Sequence, residues 1–290
     1  MSPDPTENIV QTFWYGGALS VWENACLSSF VGFGYQTHVY TYDAALIVPP
    51  GVELRNAAEI IPETEVFFYD KGFGKGSVAA FANLFRYTLL ELRGGWWVDT
   101  DVICLGRFPH CQGKAIVGLE SSDRVNNAII YAPAGHALAV TAAREARSMG
   151  QNVRWGHAGP LLMTRLCIGS ESLDGIRVEP PETFYPIHWR NVVSMLLLPS
   201  QYDAAERLCR NAAAVHLYNE FFRRRKIAKN KLPPTGSYLR ALLDRHPSVC
   251  SGVQSHTTIG VYSAIMTYYA RRALEKLLEQ AATRLPKRKR

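Results

Sequence analysis

Segments with the composition of β-strands alternate with segments of helical periodicity over the first two thirds of the chain. Such alternation is typical of α/β domains, in which helices connect the strands of a mostly parallel sheet. We predict strands at residues 9–13, 38–42, 65–69, 96–98, 115–119, 128–131 and 215–218. We predict helices after Ser20 and at residues 77–92, 135–149, 238–243 and 261–278. The pattern therefore indicates an α/β fold that ends in a helical C-terminal segment.

The length of the chain limits how many domains it can form. A chain of 290 residues, 47% of them hydrophobic, can bury the core of one large domain or of two small ones. We expect one domain at residues 1–235 and a helical extension at residues 236–290. The glycine-rich loop at residues 70–77 lacks the Gly-Lys-Ser/Thr ending of a phosphate-binding loop, which favours a lid or a linker.

The net charge of +7 is concentrated near the C-terminus. Subtracting ten cations leaves −3, so the remaining surface is mildly acidic. These ten are Arg223, Arg224, Arg225, Lys226, Lys229, Lys231 and the closing run at residues 287–290. Residues 261–278 mix apolar side chains with cations, a pattern that fits both peripheral contact with an anionic membrane and a solvated helix packed on the domain. No nucleic-acid-binding motif accompanies the charge, so we do not expect nucleic acid as a partner.

The N-terminus and the cysteines predict where the protein works. Residues 1–7 are polar and lack the basic and apolar regions of a signal peptide. No stretch approaches the roughly 20 uninterrupted apolar residues of a membrane span. The six cysteines include no Cys-x-x-Cys pair and no zinc-type spacing. We therefore expect a cytoplasmic protein with reduced thiols, either free or peripheral at the inner face of the membrane.

Two carboxylates follow the apolar segment at residues 96–98. Asp99 and Asp101 are spaced i and i+2, so on extended chain both side chains point to the same side. Ligands of α/β sheets bind at the carboxyl ends of strands. Carboxylate oxygens suit Mg²⁺ or Mn²⁺, which in turn bind phosphate oxygens. The pair therefore predicts a metal site that holds a nucleoside diphosphate, although Asp-x-Asp is also common in surface turns.

The predicted helix before these carboxylates carries two further candidates. Asn83 and Arg86 are three residues apart and share a face of the helix. Gly94 and Gly95 end the helix and turn the chain back toward the carboxylates. Arg86 either pairs with an acid such as Asp99 or contacts oxygens of an anionic substrate. In the second case, Asn83 would contact hydroxyl groups of a sugar in that substrate.

These segments resemble a known signature. Residues 81–87 read Phe-Ala-Asn-Leu-Phe-Arg-Tyr, and residues 92–101 read Leu-Arg-Gly-Gly-Trp-Trp-Val-Asp-Thr-Asp. The pair is similar to the DXD sugar-transferase pattern Ala-Ser-Asp-x-x-Arg-Tyr, then Gly-Gly-x-Tyr-x-Asp-x-Asp. That group includes α-1,4-galactosyl- and α-1,4-N-acetylglucosaminyltransferases, capsular-polysaccharide transferases and, more distantly, the clostridial glucosylating toxins. Flanking matches lie in the same order at residues 13–17, 126–127, 157–160, 184–187 and 214–219.

The resemblance implies a GT-A fold and a function. The expected fold is a Rossmann-like mixed, mostly parallel sheet flanked by helices, and the expected activity is transfer of a hexose from a UDP-sugar to a glycan, lipid-linked glycan or protein acceptor, with retention of configuration. It implies Asp99, Asp101 and Arg86 as catalytic residues, with Mn²⁺ or Mg²⁺ as cofactor. His216 would be a metal ligand or a pyrophosphate contact, with a hydrogen-bonded structural role as the alternative. The implied substrate-binding residues are Trp14, which would stack on the base, and Tyr15, Asn83, Asn126, Asn127, His157, Gly159 and Pro160.

One departure from the family pattern keeps a second interpretation open. Asn83 stands where the family usually has Asp, which removes a charge but keeps a hydrogen-bond acceptor. The alternative is therefore a catalytically weak or silent sugar-nucleotide-binding relative. A haloacid-dehalogenase-like phosphatase is a weaker alternative, because there Asp-x-Asp normally lies near the start of the domain and runs on as Gly-Thr, whereas here Val102 follows.

Overall fold

A seven-stranded mixed sheet forms the centre of the computed structural model, which describes residues 5–71 and 74–284. The strands of this sheet, together with β5 and β9, which form a separate pair, are β1 Ile9–Phe13, β2 Gln36–Thr41, β3 Val52–Asn56, β4 Gly95–Val98, β5 Val102–Cys104, β6 Ala115–Ser121, β7 Arg124–Ala132, β8 Ile176–Glu179 and β9 Ala214–His216. The helices are α1 Val21–Gly32, α2 Ala79–Arg93, α3 Ala137–Met149, α4 Leu162–Ile168, α5 Pro181–Phe184, α6 Val192–Leu197, α7 Tyr202–Cys209, α8 Asn219–Arg224, α9 Tyr238–Leu243, α10 Pro247–Cys250 and α11 Thr258–Arg284.

The order of the strands confirms the predicted mixed, mostly parallel sheet. It runs β3-β2-β1-β4-β7-β6-β8, and β5 pairs separately with β9. β1 is parallel to both β2 and β4, and β8 is parallel to β6, whereas β7 is antiparallel to both of its neighbours. The chain leaves β1 toward β2 on one side and returns to β4 on the other. The carboxyl ends of β1 and β4 therefore flank a topological switch point, the usual place for a ligand in an open α/β sheet.

The two tryptophans of β4 divide the core into two layers. Trp96 and Trp97 are both almost fully buried, and since side chains of a strand alternate, they enter opposite faces of the sheet. Trp96 packs in the cluster that contains Trp22 of α1, and Trp97 packs with Phe85 of α2. A strand buried on both faces is fixed in position, so the residues that follow it are also held in place.

Local sequence signals explain where the two helices nearest the site begin and end. Ser20 caps α1 in a capping box with Glu23, as the predicted cap requires. Gly94 ends α2 with a φ of 65°, and a Cβ atom there would lie 2.6 Å from the backbone nitrogen of Ala134. Only glycine fits such a turn without strain, so α2 ends where the sequence predicts.

One predicted strand is wrong and several elements were not predicted. Residues 65–69 do not join the sheet, because the backbone of Tyr69 bonds locally with Gly76 and Ser77. The strands predicted at residues 115–119 and 128–131 are longer than expected and are joined by a tight hairpin, so that Asn126 and Asn127 lie within β7. The strands β3 and β5 and the helices α5 to α8 and α10 were not predicted. Residues 177–186 contain most of the edge strand β8 and the short helix α5.

The C-terminal segment packs partly on the sheet domain. Leu239 and Leu242 of α9 and Val261 of α11 belong to the same buried cluster as Trp96. The division predicted at residue 235 stays a prediction. Gly72 and Phe73 of the glycine-rich loop and the basic run at residues 287–290 lie outside the described residues.

No helix among residues 5–71 and 74–284 combines the length and the hydropathy that crossing a bilayer requires.

Candidate active site

Asp99 and Asp101 lie in a tight turn between β4 and β5. The Asp99 amide still donates to the Ala128 carbonyl of β7, and the Val102 amide donates to the Asp99 carbonyl at 3.2 Å. The expected extended conformation is therefore wrong at this point. The side chains nevertheless converge, because the turn directs both carboxylates to the carboxyl edge of the sheet.

The β5–β9 ribbon brings a histidine to the turn. Val102 pairs with His216 in register, and the Leu217 amide donates to the Asp101 carbonyl at 2.8 Å. The His216 Nε2 atom lies 3.2 Å from Asp101 Oδ1. One ligand atom each from Asp99, Asp101 and His216 lie within 4.8 Å of one another. The predicted trio is therefore assembled from segments more than 100 residues apart.

A strained residue follows the histidine. Tyr218 adopts the left-handed conformation (φ 55°, ψ 60°), which costs a residue other than glycine about 1–2 kcal/mol. Its ring packs on the His216 imidazole with centroids 3.9 Å apart. The conformation aims the next amide at the site, where Asn219 N donates to Asp101 Oδ2 at 2.7 Å. Both oxygens of Asp101 are thus held in place.

Arg86 braces Asp99. Its Nη2 atom lies 2.9 Å from Asp99 Oδ1, and its Nη1 atom donates to the Asn127 carbonyl. The Trp97 indole N–H donates to the same Asp99 oxygen at 2.8 Å. The ion pair expected as one role of Arg86 is therefore present, and direct contact with a substrate stays a prediction.

The pKa values of Asp99, Asp101 and His216 are shifted by burial and by the charges around them. Burial raises the pKa of the Asp99 carboxyl, although the Arg86 guanidinium opposes this. Burial acts in the same direction on Asp101, but the charge and hydrogen bond of His216 outweigh it and lower the pKa of Asp101 to about 2. Burial lowers the pKa of His216, yet Asp101 more than offsets this and the pKa is raised.

The donor set fits a divalent metal. Two carboxylates suit Mg²⁺ or Mn²⁺. His216 Nδ1 and Asn219 Oδ1 are buried and find no hydrogen-bond partner among the described residues. Since buried polar atoms are normally paired, these two atoms fit a site that a bound ion and its ligands complete.

A second group of predicted residues is neutral. Asn127 Nδ2 donates to Asn83 Oδ1 at 2.8 Å and lies 3.2 Å from the Tyr87 hydroxyl. A Cβ atom on Gly159 would lie 3.3 Å from the amides of both asparagines, so glycine permits the close approach of this segment. The structure therefore brings Asn83, Asn127 and Gly159 together.

The other predicted substrate residues are more dispersed. Asn126 donates to Glu120 at 2.7 Å, and Pro160 accepts from the Thr164 hydroxyl. His157 is exposed at the start of the same kinked segment as Gly159. Trp14 is half-buried, and its indole N–H donates to the Gly17 carbonyl at 2.7 Å.

Tyr15 borders a separate cavity. This cavity of about 280 Å³ lies at the carboxyl ends of β1 and β2. Phe13, two residues before Tyr15, stacks on Phe85 of α2 with ring centroids 4.3 Å apart, and Arg86 follows Phe85 in the chain. The cavity is lined by Tyr15, Gly16, Thr41, Tyr42, Asp43 and Glu63.

Sequence reasoning assigned no role at the site to two buried glutamates, Glu23 and Glu120. Glu23 is 1% exposed, accepts from Asn219 Nδ2 at 2.8 Å and pairs with Lys229. Glu120 is buried beside Asn126. Burial raises the pKa of the Tyr218 hydroxyl, and the negative charge of Glu120 raises it further. The structure also places Glu23 in the capping box of α1, and no sequence pattern shows its contact with Asn219 across 196 positions.

Comparisons with known proteins relate the chain to glycosyltransferases. Residues 132–242 match the family described as "Alpha 1,4-glycosyltransferase conserved region". The lactosylceramide 4-alpha-galactosyltransferase of Rattus norvegicus is 31% identical over 145 residues, which are 47% of this chain and 39% of that protein. The Homo sapiens protein of the same name is 27% identical over 146 residues, 47% of this chain and 40% of that protein. The predicted resemblance to α-1,4-glycosyltransferases is therefore confirmed.

The matches have a limited extent. The chain spans about two fifths of the length of these curated relatives. Among solved structures, one described as PaToxG glycosyltransferase is 14% identical, with a TM-score of 0.41, over 57% of this chain and 68% of that chain. A galactosyltransferase solved with donor and acceptor sugar analogs is 11% identical, with a TM-score of 0.38, over 72% of this chain and 87% of that chain.

Proposed function

We propose that this chain transfers a hexose from a UDP-sugar to a hydroxyl group of a glycan acceptor, with retention of configuration. The observation that carries the proposal is the cluster of Asp99, Asp101 and His216 at the carboxyl end of β4, ligand atoms within 4.8 Å of one another. The match to α-1,4-glycosyltransferases supports the same reaction. UDP-galactose is the first donor to test, because the relatives are named as galactosyltransferases.

The proposed reaction exchanges one bond at the sugar for another. The bond between the anomeric carbon and the β-phosphate oxygen breaks, and a bond from that carbon to the acceptor oxygen forms. The proton of the acceptor hydroxyl goes to the leaving diphosphate, so the products are the glycosylated acceptor and UDP. Because the leaving diphosphate takes the proton, the reaction needs no separate carboxylate base, and no Asp or Glu is marked as such a base by its position in the sequence.

The divalent metal would be held by Asp99, Asp101 and His216. When bound, it supplies positive charge that stabilises the leaving diphosphate. The chain itself fixes the ligands: His216 and the Asn219 amide orient Asp101, and Arg86 and Trp97 orient Asp99. Such preorganisation lowers the cost of reorganising the site during the reaction.

The neutral residues would bind the sugar and the nucleoside. Amide groups both donate and accept, so Asn83 and Asn127 suit sugar hydroxyls. Asn126, Gly159, Pro160 and His157 would border the same subsite. Tyr15, which lines the cavity at the ends of β1 and β2, and the adjacent Trp14 would contact the base.

A donor panel tests the proposal. The purified chain is incubated with UDP- and GDP-sugars, Mn²⁺ and lactose-terminated acceptors, and nucleotide release and glycan product are measured. We expect UDP release from at least one UDP-sugar and its loss in Asp101→Ala. The matched control is Asp174→Ala, which removes an exposed carboxylate that is not part of the proposed metal site. Full turnover in Asp101→Ala would overturn the metal assignment.

The second candidate is a silent sugar-nucleotide-binding protein. It is favoured by Asn83, which stands in place of a carboxylate and bonds to another amide. In the same assay it predicts calorimetric binding of a UDP-sugar with Mn²⁺ but no release of UDP. A phosphatase of the haloacid-dehalogenase type would instead release phosphate from simple phosphate esters.

A further inference from the structure

An apolar stripe lies on the solvent side of α11. Ile259 is 82% exposed, Met266 64% and Leu277 62%, and between them lie the half-exposed rings of Tyr262 and Tyr269. Their spacings of three, four, three and eight residues place them on one side of a helix. These five residues are called the α11 stripe.

The other side of α11 holds the helix to the domain. Val261 is buried, and Ala264 and Ile265 pack against the core. The guanidinium of Arg225, itself buried, lies 4.0 Å from the centre of the Tyr268 ring. The α11 stripe is therefore not needed for this attachment, and a contiguous exposed apolar surface of this kind usually marks an interaction site.

The positive charge of the chain is concentrated in the same segment. Residues 258–290 contain eight Lys and Arg against two Glu, a net +6 of the total of +7. The side chains of Arg271 and Arg272 are 72% and 66% exposed. Lys276 is exposed two helical turns after Tyr269, so a cation extends the side that carries the stripe.

We propose that α11 docks this chain on the surface of a membrane that contains anionic lipid. The α11 stripe would enter the boundary between headgroups and acyl chains, and the cations would lie among the lipid phosphates. A second copy is a poorer occupant, because pairing would bring two segments of +6 together. A nucleic acid would use the cations but leave the apolar stripe exposed. The inference does not depend on the proposed transferase activity.

Vesicle sedimentation with the full chain tests the proposal. The vesicles are pure phosphatidylcholine or a seven-to-three mixture of phosphatidylcholine and phosphatidylglycerol. We expect binding to the anionic vesicles at least tenfold tighter than to the neutral ones, weakened by added salt. The double variant Ile259→Ser/Met266→Ser should reduce binding about tenfold or more. The matched control is Ile47→Ser/Leu208→Ser, which removes exposed apolar side chains (85% and 48%) outside α11 and should bind as the parent does.

Several outcomes would overturn the proposal. Equal binding to neutral and anionic vesicles, no binding to either, or an equal loss in the control would each contradict it. A dimer in ultracentrifugation that Ile259→Ser/Met266→Ser dissociates, without vesicle binding, would assign the stripe to a second copy. Circular dichroism of each variant checks that the fold is retained.

Discussion

The site has a charged half and a neutral half, and they differ in how they are held. The charged half consists of Asp99, Asp101 and His216, fixed by ion pairs and by a backbone amide. The neutral half consists of Asn83 and Asn127, joined by an amide hydrogen bond. Arg86 connects them, because one of its nitrogens bonds to Asp99 and another to the Asn127 carbonyl.

The difference indicates a division of labour. Buried charges are costly unless paired, so the charged half is built around opposite charges and suits a cation with a diphosphate. Neutral amides can exchange partners at a smaller cost, so the neutral half suits uncharged hydroxyl groups. Loss of a group in the charged half should therefore reduce turnover generally, whereas changes in the neutral half should alter the choice among donors.

The largest expected effect is that of removing the metal. Chelation with EDTA should abolish UDP release, and Mn²⁺ should restore it. Mn²⁺ at about 100 times its Kd should also raise the free energy of unfolding by about 2.7 kcal/mol, because it binds only the folded chain. Thermal and urea unfolding measure this. The stabilisation should be absent in Asp101→Ala and unchanged in Asp174→Ala; stabilisation that persists in Asp101→Ala would place the ion elsewhere.

The next effect tests the residue that connects the two halves. Arg86→Ala should lower kcat/KM about 100-fold, equivalent to about 2.7 kcal/mol, because Asp99 loses its partner and the Asn127 carbonyl its donor. The free energy of unfolding should also fall by about 3 kcal/mol, since the variant leaves the partly buried Asp99 carboxylate without its cation.

Arg93→Ala is the control for this variant. It lies in the last turn of the same helix, is 54% exposed, and pairs with Glu59 at 3.5 Å. An exposed pair of this kind contributes about 0–1 kcal/mol, so activity should not change. Similar losses in both variants would mean that Arg86 acts through the stability of α2 alone.

A smaller effect is expected for a residue behind the charged half. Glu23→Gln keeps the shape of the side chain but removes the charge that pairs with Lys229 and holds Asn219. The loss of charge-assisted hydrogen bonds should reduce stability by about 1–3 kcal/mol. We expect kcat/KM to fall about tenfold and the apparent Mn²⁺ affinity to weaken, because the amide that orients Asp101 is less firmly fixed.

Glu53→Gln is the control for Glu23→Gln. Glu53→Gln changes an exposed glutamate that pairs with Arg55 on β3, and it should leave both stability and activity as they are. A Glu23→Gln variant that loses stability while its Mn²⁺ affinity is unchanged would show that Glu23 supports only the start of α1.

The sequence predicts the charged half well where the pattern is local. Asp99, Asp101 and Arg86 lie within 16 positions, and a helix, a glycine turn and a buried strand connect them, so their proximity follows from secondary structure. The position of His216 was available only from the family resemblance, because the β5–β9 pairing joins segments more than 100 residues apart. No periodicity indicates such a pairing.

The misplaced and overlooked features have physical reasons. Residues 65–69 have the composition of a strand, but the Tyr69 amide donates a hydrogen bond to the Ser77 carbonyl within the same loop and not to a neighbouring strand. Strand composition reports burial and packing, not which partner a backbone finds. In the sequence, Glu120 and Glu23 cannot be distinguished from acidic residues of the surface, because only tertiary packing buries them.

The smallest expected effect concerns the neutral half. Asn83→Asp keeps an acceptor for Asn127 and restores the charge that the family pattern carries. A carboxylate forms stronger hydrogen bonds to sugar hydroxyls, so we expect kcat/KM for the preferred donor to rise by up to about tenfold. Asn83→Ala removes the acceptor and should lower it about tenfold. The ratio of kcat/KM between UDP-galactose and UDP-N-acetylglucosamine should change in both variants, whereas the dependence on Mn²⁺ should not. A changed Mn²⁺ dependence in Asn83→Asp would show that the two halves of the site act as one unit, because the new charge would then be felt by the metal ligands.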